Sequence, residues 1–350
     1  MSDAFEACAS AYPKFDAHTH FTGGKSACVE VMDAVGVRAV LGIGWSELGE
    51  PEAIAGYEKR LREDARNHPG RFWFCATFNV TRFEKPSYAE AVIDKLTDSI
   101  DRHGAVAVKM WKDVGMMLQD RAGQYVFCDD PRFTPIFDFL GRRGVPAILH
   151  IADPVAGWLP LDPASPHYGY FKTHPEYHWH GHDDKPSHDT IIQHRDHLIR
   201  AHPEIRFVCA HLASLAHDLD RLARFLDAFP NAMVDTAART EDLRRHPADE
   251  VRAFFAAYSD RVLYGTDWEE DAAVFSAGLP ERQERIARRI TRAREEHRFY
   301  EQILALPEFI LRKFYIENAV RVLGLPPAMA VPGAPAGPAA RRRKRPPEVY

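Results

Sequence analysis

Eight short apolar runs recur along the chain, each followed by a longer amphipathic stretch, and this alternation limits the fold more than any other feature. Each run is apolar on both faces, as strands buried beneath a layer of helices are. The stretches between them carry apolar residues at three- and four-residue spacing and end near Gly or Pro, which is typical of helices. The runs are KFDAHTH (14–20), RAVLGIG (38–44), RFWFCATFN (71–79), AVAVKMW (105–111), PAILHIA (146–152), RFVCAHL (206–212), NAMVDTA (231–237) and RVLYGTD (261–267).

Eight strands joined by helical crossovers predict an α/β protein with a closed, distorted (β/α)8 barrel, the TIM barrel. An open doubly wound sheet is the alternative, but no Gly-rich phosphate-binding loop follows the first strand. The length of 350 residues suits one large domain. We therefore expect a barrel over residues 1–326.

Residues 153–197, after the fifth strand, break the alternation with a long stretch rich in Pro, Tyr, Trp and His. Long loops in compact domains are usually functional, so this segment is expected to be an active-site lid. Its histidines form either an accessory metal cluster or a set of solvated and hydrogen-bonded side chains. They are His167, His174, His178, His180, His182, His188, His194 and His197.

The C-terminal residues 327–350 have a different composition from the rest of the chain. The Pro/Ala/Gly stretch VPGAPAGPAA precedes the basic run RRRKR at 341–345. Such a segment has too few large apolar residues to build a core. We expect a flexible tail here.

Charge and composition exclude several classes of function. A net charge of −5 argues against a nucleic-acid-binding face, and no unbroken apolar stretch is long enough for a membrane span. The five cysteines, Cys8, Cys28, Cys75, Cys128 and Cys209, are scattered without a CxxC pair. They predict free thiols and a cytoplasmic location.

Polar residues lie at the carboxyl ends of the apolar runs, where barrels build their active sites. His18 and His20 are separated by one residue, so on a strand both side chains point to the same face. Taken alone, this pair is also compatible with two hydrogen-bonded barrel histidines. The other candidates at strand ends are Lys109, His150, His211 and Asp267.

Several imidazoles and a carboxylate are costly to bury unless they are paired or bound to metal. Three histidines and an aspartate make a four-coordinate set for a divalent ion. Such an ion would activate a water molecule as nucleophile, and Asp267 would accept its proton.

The ordered motifs FDAHTH, ILHIADP, FVCAHLAS and VLYGTDW, followed by FYIENAVRVLGL, resemble those of the amidohydrolase superfamily. The resemblance covers about residues 14–325. It is greatest to the amidohydrolase-related group, which includes aminocarboxymuconate-semialdehyde decarboxylase and pyrone-dicarboxylate lactonase.

By this resemblance His211 would orient or deprotonate the attacking water, or polarise the substrate. Zinc is the expected ion, with manganese and iron as alternatives because nitrogen and oxygen ligands discriminate weakly among them. The implied metal ligands are His18, His20, His150 and Asp267.

Three weaker candidates complete the predicted site. Lys109 is either a carbamate bridging a second ion, a cation for a substrate carboxylate, or a surface or structural lysine. Arg239 would clamp a substrate carboxylate or form a salt bridge at the rim. Asp153 would hold a ligand histidine in its tautomer or merely begin a turn.

The predicted function is metal-dependent hydrolysis of an amide, lactone or related C–N or C–O bond in a small molecule. Non-oxidative decarboxylation of a small carboxylic acid is the second enzymatic reading. A barrel that has lost its chemistry and serves as a binding scaffold is the third. A homo-oligomer is compatible with the sequence.

Overall fold

The computed structural model describes residues 12–20, 26–44, 48, 51–269 and 279–331. Its strands form one sheet in which every pairing is parallel and the order is β8-β7-β6-β5-β4-β3-β2-β1-β9. The strands are β1 (Lys14–His20), β2 (Val37–Ile43), β3 (Phe72–Ala76), β4 (Ala107–Met110), β5 (Ala147–Leu149), β6 (Phe207–Cys209), β7 (Ala232–Asp235), β8 (Val262–Leu263) and β9 (Trp268–Glu269).

Hydrogen bonds between the eighth run and β1 close the barrel. The Ala17 amide donates to the Tyr264 carbonyl at 2.9 Å, and the Asp267 amide donates to the His18 carbonyl at 2.8 Å. Strand β9 then pairs with the end of β1. The predicted (β/α)8 barrel is confirmed, with β8 inside the eighth run and β9 directly after it.

Helices follow the strands around the outside of the sheet, as the amphipathic stretches predict. The longer ones are α1 (Ser26–Val35), α2 (Pro51–Asn67), α3 (Tyr88–Asp101), α4 (Thr134–Arg143), α5 (Tyr168–Thr173), α6 (His188–Ala201), α7 (Leu219–Ala228), α8 (Ala248–Ala257), α9 (Leu279–Arg298), α10 (Glu308–Arg312) and α11 (Asn318–Leu323). The π-helical segments Phe299–Ile303 and Lys313–Glu317 flank α10.

The strands are shorter than the predicted runs because the chain leaves the sheet early at the carboxyl ends. Eight described non-glycine residues have positive φ, and seven of them follow β5, β6, β7 or β8. This backbone costs about 1–2 kcal/mol per residue and persists only where surrounding contacts enforce it. Strain is therefore concentrated at the rim that carries the candidate ligands.

The barrel interior is filled from below by the C-terminal end of the described chain. Met329 belongs to the same buried cluster as Phe15, Leu41, Ile148 and residues of α11. Arg38 donates to the carbonyls of Met329 and Val331 at 2.8 and 2.9 Å. The packed body thus extends past the predicted boundary at 326, and the remainder of the predicted tail, 332–350, lies outside the described residues.

The long loop after β5 is shorter than predicted. It contains two 3-10 turns, Val155–Trp158 and Pro175–Tyr177, and the short helix α5. Helix α6 begins at His188, where the Ser187 hydroxyl accepts from the Thr190 amide as an N-cap. Residues 188–197 are therefore helical, and the loop spans 153–187.

In the described parts of the chain, no helix is long and apolar enough to cross a membrane. Cys28, Cys75, Cys128 and Cys209 are buried free thiols, as expected. Cys8 lies outside the described residues.

Candidate metal centre

His18, His20 and Asp267 converge where β1 meets the end of the eighth run. One ligand atom from each lies within 4.8 Å of the other two. The Asp267 Oδ1 atom is 3.2 Å from His20 Nε2 and 3.4 Å from His18 Nε2. His18 and His20 at the end of β1, and Asp267 from about 250 residues later in the sequence, thus form a compact set of nitrogen and oxygen ligands.

Hydrogen bonds fix the tautomers of the histidines. His20 Nδ1 lies 3.1 Å from the Ile43 carbonyl, and His211 Nδ1 lies 2.9 Å from the Ala237 carbonyl. Because a carbonyl only accepts, we assign the proton to Nδ1 in both rings. His18 Nδ1 faces a carboxylate oxygen of Asp235 at 2.8 Å, which gives it the same tautomer. All three rings then hold a lone pair at Nε2, the form in which imidazole ligates metal.

Asp235, at the end of β7, is a site residue that sequence reasoning missed. Its Oδ2 accepts from His18 Nδ1, and its Oδ1 accepts from the amides of His211 and Ala237 at 2.8 and 3.2 Å. Burial alone would raise the pKa of Asp235, but the neighbouring His18 and His211 outweigh it and lower that pKa. The sequence feature that could have indicated Asp235 is its position as a carboxylate at the end of β7, a strand buried on both faces.

A second missed carboxylate, Asp16, positions His18 from behind. Its Oδ1 accepts from the amides of His18 and Thr266, each at 3.1 Å. Burial raises the pKa of Asp16 to about 8. Gly265 completes the arrangement, because a Cβ atom there would lie 3.0 Å from the Cβ of His18. A larger residue at 265 would displace the ligand.

His211 begins a left-handed turn directly after β6. Four consecutive non-glycine residues, 211–214, have φ between 52° and 59°. The Asp235 carboxylate holds the first amide of this turn, and the Ser214 hydroxyl donates to the Ala152 carbonyl at 2.8 Å. These bonds keep the His211 ring 4.8 Å from the His18 ring, centroid to centroid.

His150 follows β5 directly, and its ring centroid lies 4.2 Å from that of His211. Both ring nitrogens are buried and have no hydrogen-bond partner among the described residues. Its nitrogens belong to neither of the two candidate ligand groups formed around His18. An unpartnered buried imidazole is costly, and a metal ion would satisfy it.

The residues present fit a divalent metal ion. Burial lowers the pKa of His20 to about 4, so its ring is neutral and Nε2 is an acceptor. Burial alone would raise the pKa of Asp267, but His211, His20 and His18 outweigh it and lower that pKa well below its usual range. An acceptor nitrogen and a carboxylate oxygen therefore face each other at 3.2 Å, and a cation between them would satisfy both.

A second group, His18, His211 and Asp235, also brings ligand atoms together. Its carboxylate is already occupied by one imidazole and two backbone amides. Asp235 therefore holds the ligand side chains in position and has little capacity left for an ion.

Lys109 is fully buried, so among its alternatives a surface position is excluded, while a structural role, a carbamate and a cation for substrate stay predictions. Its Nζ atom donates to His18 Nε2 at 2.9 Å and lies 3.9 Å from the centre of the Trp111 ring. The amine thus contacts the nitrogen that the ligand set presents to an ion.

Asp153 does not hold a ligand histidine. Its Oδ1 is 3.7 Å from His150 Nε2, too far for a hydrogen bond, and both of its oxygens accept from Lys112 Nζ at 2.7 Å. The ion pair connects the end of β4 to the first residue of the long loop. Asp153 therefore anchors the loop.

Arg239 follows β7 and is buried, with its Nη1 donating to the Ala238 carbonyl at 2.8 Å. No carboxylate of the described residues lies within salt-bridge distance of its guanidinium. The predicted alternative of a rim salt bridge is thus not formed with any described residue. Arg239 borders a cavity of about 540 Å³ at the same rim of the barrel, and no candidate ligand of the metal centre lines this cavity.

The cavity lies between the long loop and the rim of β6 and β7. Loop residues including Val155 and Leu159 form one wall, and Ser214 and Ala216 form another. Arg239 and Asp242 supply polar groups. The rim therefore combines a cluster of ligands with a largely apolar space that holds one buried guanidinium.

Several solved structures of known proteins resemble this chain in fold. A 2,6-dihydroxybenzoate decarboxylase is 17% identical, with a TM-score of 0.59 over 90% of this chain and 100% of that one. The 5-carboxyvanillate decarboxylase of Novosphingobium aromaticivorans, solved with manganese, is 13% identical, with a TM-score of 0.58 over 91% and 97%. The 4-oxalomesaconate hydratase of Rhodopseudomonas palustris is 14% identical, with a TM-score of 0.53 over 89% and 95%.

At such low sequence identity, these structural matches establish a shared fold alone. No curated protein sequence matches the chain significantly. The model of the amidohydrolase family matches residues 15–325, which contain all the ligands described above. The chain therefore belongs to the amidohydrolase family.

Proposed function

We propose that this protein is a metal-dependent hydrolase that cleaves an amide, lactone or related C–N or C–O bond of a small molecule. The observation that carries the proposal is the set of three imidazoles held with Nε2 unprotonated beside an ionised Asp267. His18, His20, Asp267 and His150 would hold the ion, with zinc expected from this donor set. When bound, the ion supplies a Lewis acid that polarises the scissile carbonyl and the attacking water.

The chain's own groups handle the proton. Asp267 is partly exposed at the open end of the barrel, and as a carboxylate it accepts the proton that water loses on attacking the carbonyl carbon. The same proton then passes to the leaving nitrogen or oxygen. Burial lowers the pKa of His211 well below its usual range, so its neutral Nε2 is a second acceptor that orients the water.

We further propose that Lys109 acts as a carbamate. An ammonium 2.9 Å from His18 Nε2 would repel a divalent ion at that nitrogen. Loss of one proton from the ammonium gives the neutral amine, and addition of carbon dioxide with loss of a second proton gives a carbamate. The repelling cation would thus be replaced by an anion able to bind metal. With two ions, His18, His20 and Asp267 would hold the first, and His150 and His211, whose rings are in contact, would hold the second. With a single ion, His150 belongs to the first set and His211 orients the water.

Metal counting tests the role of Lys109. Lys109→Ala is expected to hold one equivalent less than the wild type, by elemental analysis of dialysed protein. Equal metal content in both proteins would exclude the carbamate.

Hydrolysis is tested by product analysis in heavy-oxygen water with a panel of amides and lactones. One labelled oxygen should enter the carboxylic product, and Asp267→Asn should abolish turnover while the fold is retained. Release of carbon dioxide without label incorporation would contradict hydrolysis.

Decarboxylation of a small carboxylic acid is the second candidate, and Arg239 is the observation that favours it. A buried guanidinium without a described carboxylate partner suits a carboxylated substrate in the cavity that it borders. In this case Arg239→Lys should raise KM for such acids more than it lowers kcat, since it removes bidentate binding.

We also propose a cytoplasmic location, in keeping with the buried free thiols.

A further inference from the structure

Two histidines of the predicted His-rich segment form a separate cluster on helix α6. His194 and His197 are three residues apart, so their side chains lie on the same face of the helix. Their ring centroids are 6.0 Å apart. Neither ring takes part in the metal centre at the barrel mouth.

Asp129, in the connection between β4 and α4, lies opposite this pair. Its Oδ1 is 2.7 Å from His194 Nδ1, and its Oδ2 is 3.4 Å from His197 Nδ1. The three ligand atoms all lie within 4.8 Å of one another. Tetrahedral zinc with bonds of about 2.0–2.1 Å places its ligand atoms roughly 3.3 Å apart, so small side-chain rotations suffice to close this set.

The cluster is preorganised and its charge favours a cation. Phe127 stacks on the His194 ring at 3.9 Å with an interplanar angle of 5°, which fixes the plane of that imidazole. Asp129 has no Lys or Arg within salt-bridge distance among the described residues; its described ion-pair partners are the two histidines. Asp129 is therefore the carboxylate of the cluster, and no described Lys or Arg forms an ion pair with it.

We propose that Asp129, His194 and His197 bind a divalent transition-metal ion such as zinc, at a site distinct from the metal centre near His18. Two imidazoles and one carboxylate select a borderline ion over calcium or magnesium, which prefer oxygen ligands. Water completes the coordination, because His197 is more than half exposed.

The ion would connect two segments that are far apart in the sequence. Helix α6 follows the long loop 153–187, and Asp129 lies in the segment that leads into α4. Metal at this position would fix the helix into which the loop leads. The inference is independent of the reaction proposed for the barrel mouth.

Zinc titration of metal-free full-length protein, followed by dialysis and elemental analysis, tests the proposal. His194→Gln and His197→Gln should each bind one equivalent less than the wild type. His182→Gln is the matched control, since His182 is an exposed histidine of the same segment without a place in this cluster. It should bind as much zinc as the wild type.

A His20→Asn background separates the two sites. Adding His197→Gln to this variant should remove one further equivalent and abolish the zinc-induced rise in Tm that remains. Equal zinc content in wild type, His194→Gln, His197→Gln and His182→Gln would overturn the proposal. Circular dichroism of each variant establishes that the fold is retained.

Discussion

At the scale of single residues, the site depends on a carboxylate that would not itself bind metal. Asp235 accepts from His18 Nδ1 and thereby fixes the tautomer of the His18 ring. It also accepts from the His211 amide and thereby holds the strained turn that carries the His211 ring. Outer hydrogen bonds of this kind keep a ligand lone pair directed at the ion.

Replacing Asp235 with Asn should weaken metal binding. An amide can present its NH2 group to His18 Nδ1 and cannot stabilise the Nδ1-protonated ring as a carboxylate does. We expect a loss of about 10–100-fold in metal affinity, measured by zinc titration of the metal-free protein.

Asp220→Asn, at an exposed carboxylate on α7, serves as the control and should bind zinc like the wild type. Equal affinity in both variants would mean that Asp235 has no part in organising the ligands.

At the scale of elements, the long loop is attached to the barrel through a buried cation. Lys112 Nζ contacts both oxygens of Asp153 and the Tyr170 hydroxyl, and lies 3.6 Å from the centre of the Tyr177 ring. The Tyr177 hydroxyl donates to Asp113 at 3.0 Å. One lysine at the end of β4 thus gathers three residues of the loop.

Lys112→Met should destabilise the protein, because it leaves the Asp153 carboxylate buried without its cation. We expect a loss of about 3–5 kcal/mol in the free energy of unfolding, measured by denaturant titration. Adding Asp153→Leu removes the stranded charge and should recover much of this loss. If the double variant is less stable than Lys112→Met, the cost does not come from the unpaired charge.

Helix α9 buries an acidic side chain that makes stability depend on pH. Glu296 is buried, and burial raises its pKa to about 7, although Arg292 lies 3.3 Å away and opposes the shift. The carboxyl group of the folded protein therefore keeps its proton where the unfolded chain, with a pKa near 4.5, has lost it. This contribution to stability is complete below pH 4.5 and is lost as the pH rises to about 7.

Glu296→Gln should remove that dependence. Because one pKa unit corresponds to about 1.36 kcal/mol, the wild type should lose up to about 3 kcal/mol between pH 4.5 and 7 that the variant keeps. Denaturant unfolding at several pH values measures the difference. Glu295→Gln, at an exposed position on the same helix, should follow the wild type.

At the scale of the whole molecule, the C-terminal end of the described chain forms the floor of the barrel. The Asn318 side chain donates to the carbonyls of Ser259 and Val262, each at 2.8 Å, and ties α11 to β8. Met329 then packs into the barrel interior. The mouth carries the ligands, and the floor supplies packing.

A chain ended after Pro326 should be less stable than one ended after Val331. Only the shorter chain loses the buried Met329 and the carbonyls that accept from Arg38. We expect a difference of about 2–5 kcal/mol in the free energy of unfolding. Equal stability of the two chains would show that residues 327–331 add nothing to the floor.

Much of this architecture was predictable from local patterns. Strands buried on both faces read as continuous apolar runs, and a histidine or aspartate that ends such a run lies at the rim by the geometry of parallel barrels. The positions of His18, His20, His211 and Asp267 at one rim were predicted in this way. Asp153, which suited either a ligand-holding role or a turn, forms an ion pair, and α6 begins earlier than predicted, because the same residue types suit a turn, an ion pair or an N-cap.

The sequence alone therefore determined the barrel, its strand positions and the family, since these depend on periodicity and on ordered motifs. Only the tertiary structure decided that Asp235 contacts His18, that Lys109 contacts His18, and that Asp129 contacts His194 and His197. The physical reason is that each of these contacts joins residues from different strands, helices or connections. Their distances are set by how the elements pack, and spacing along the chain does not encode them.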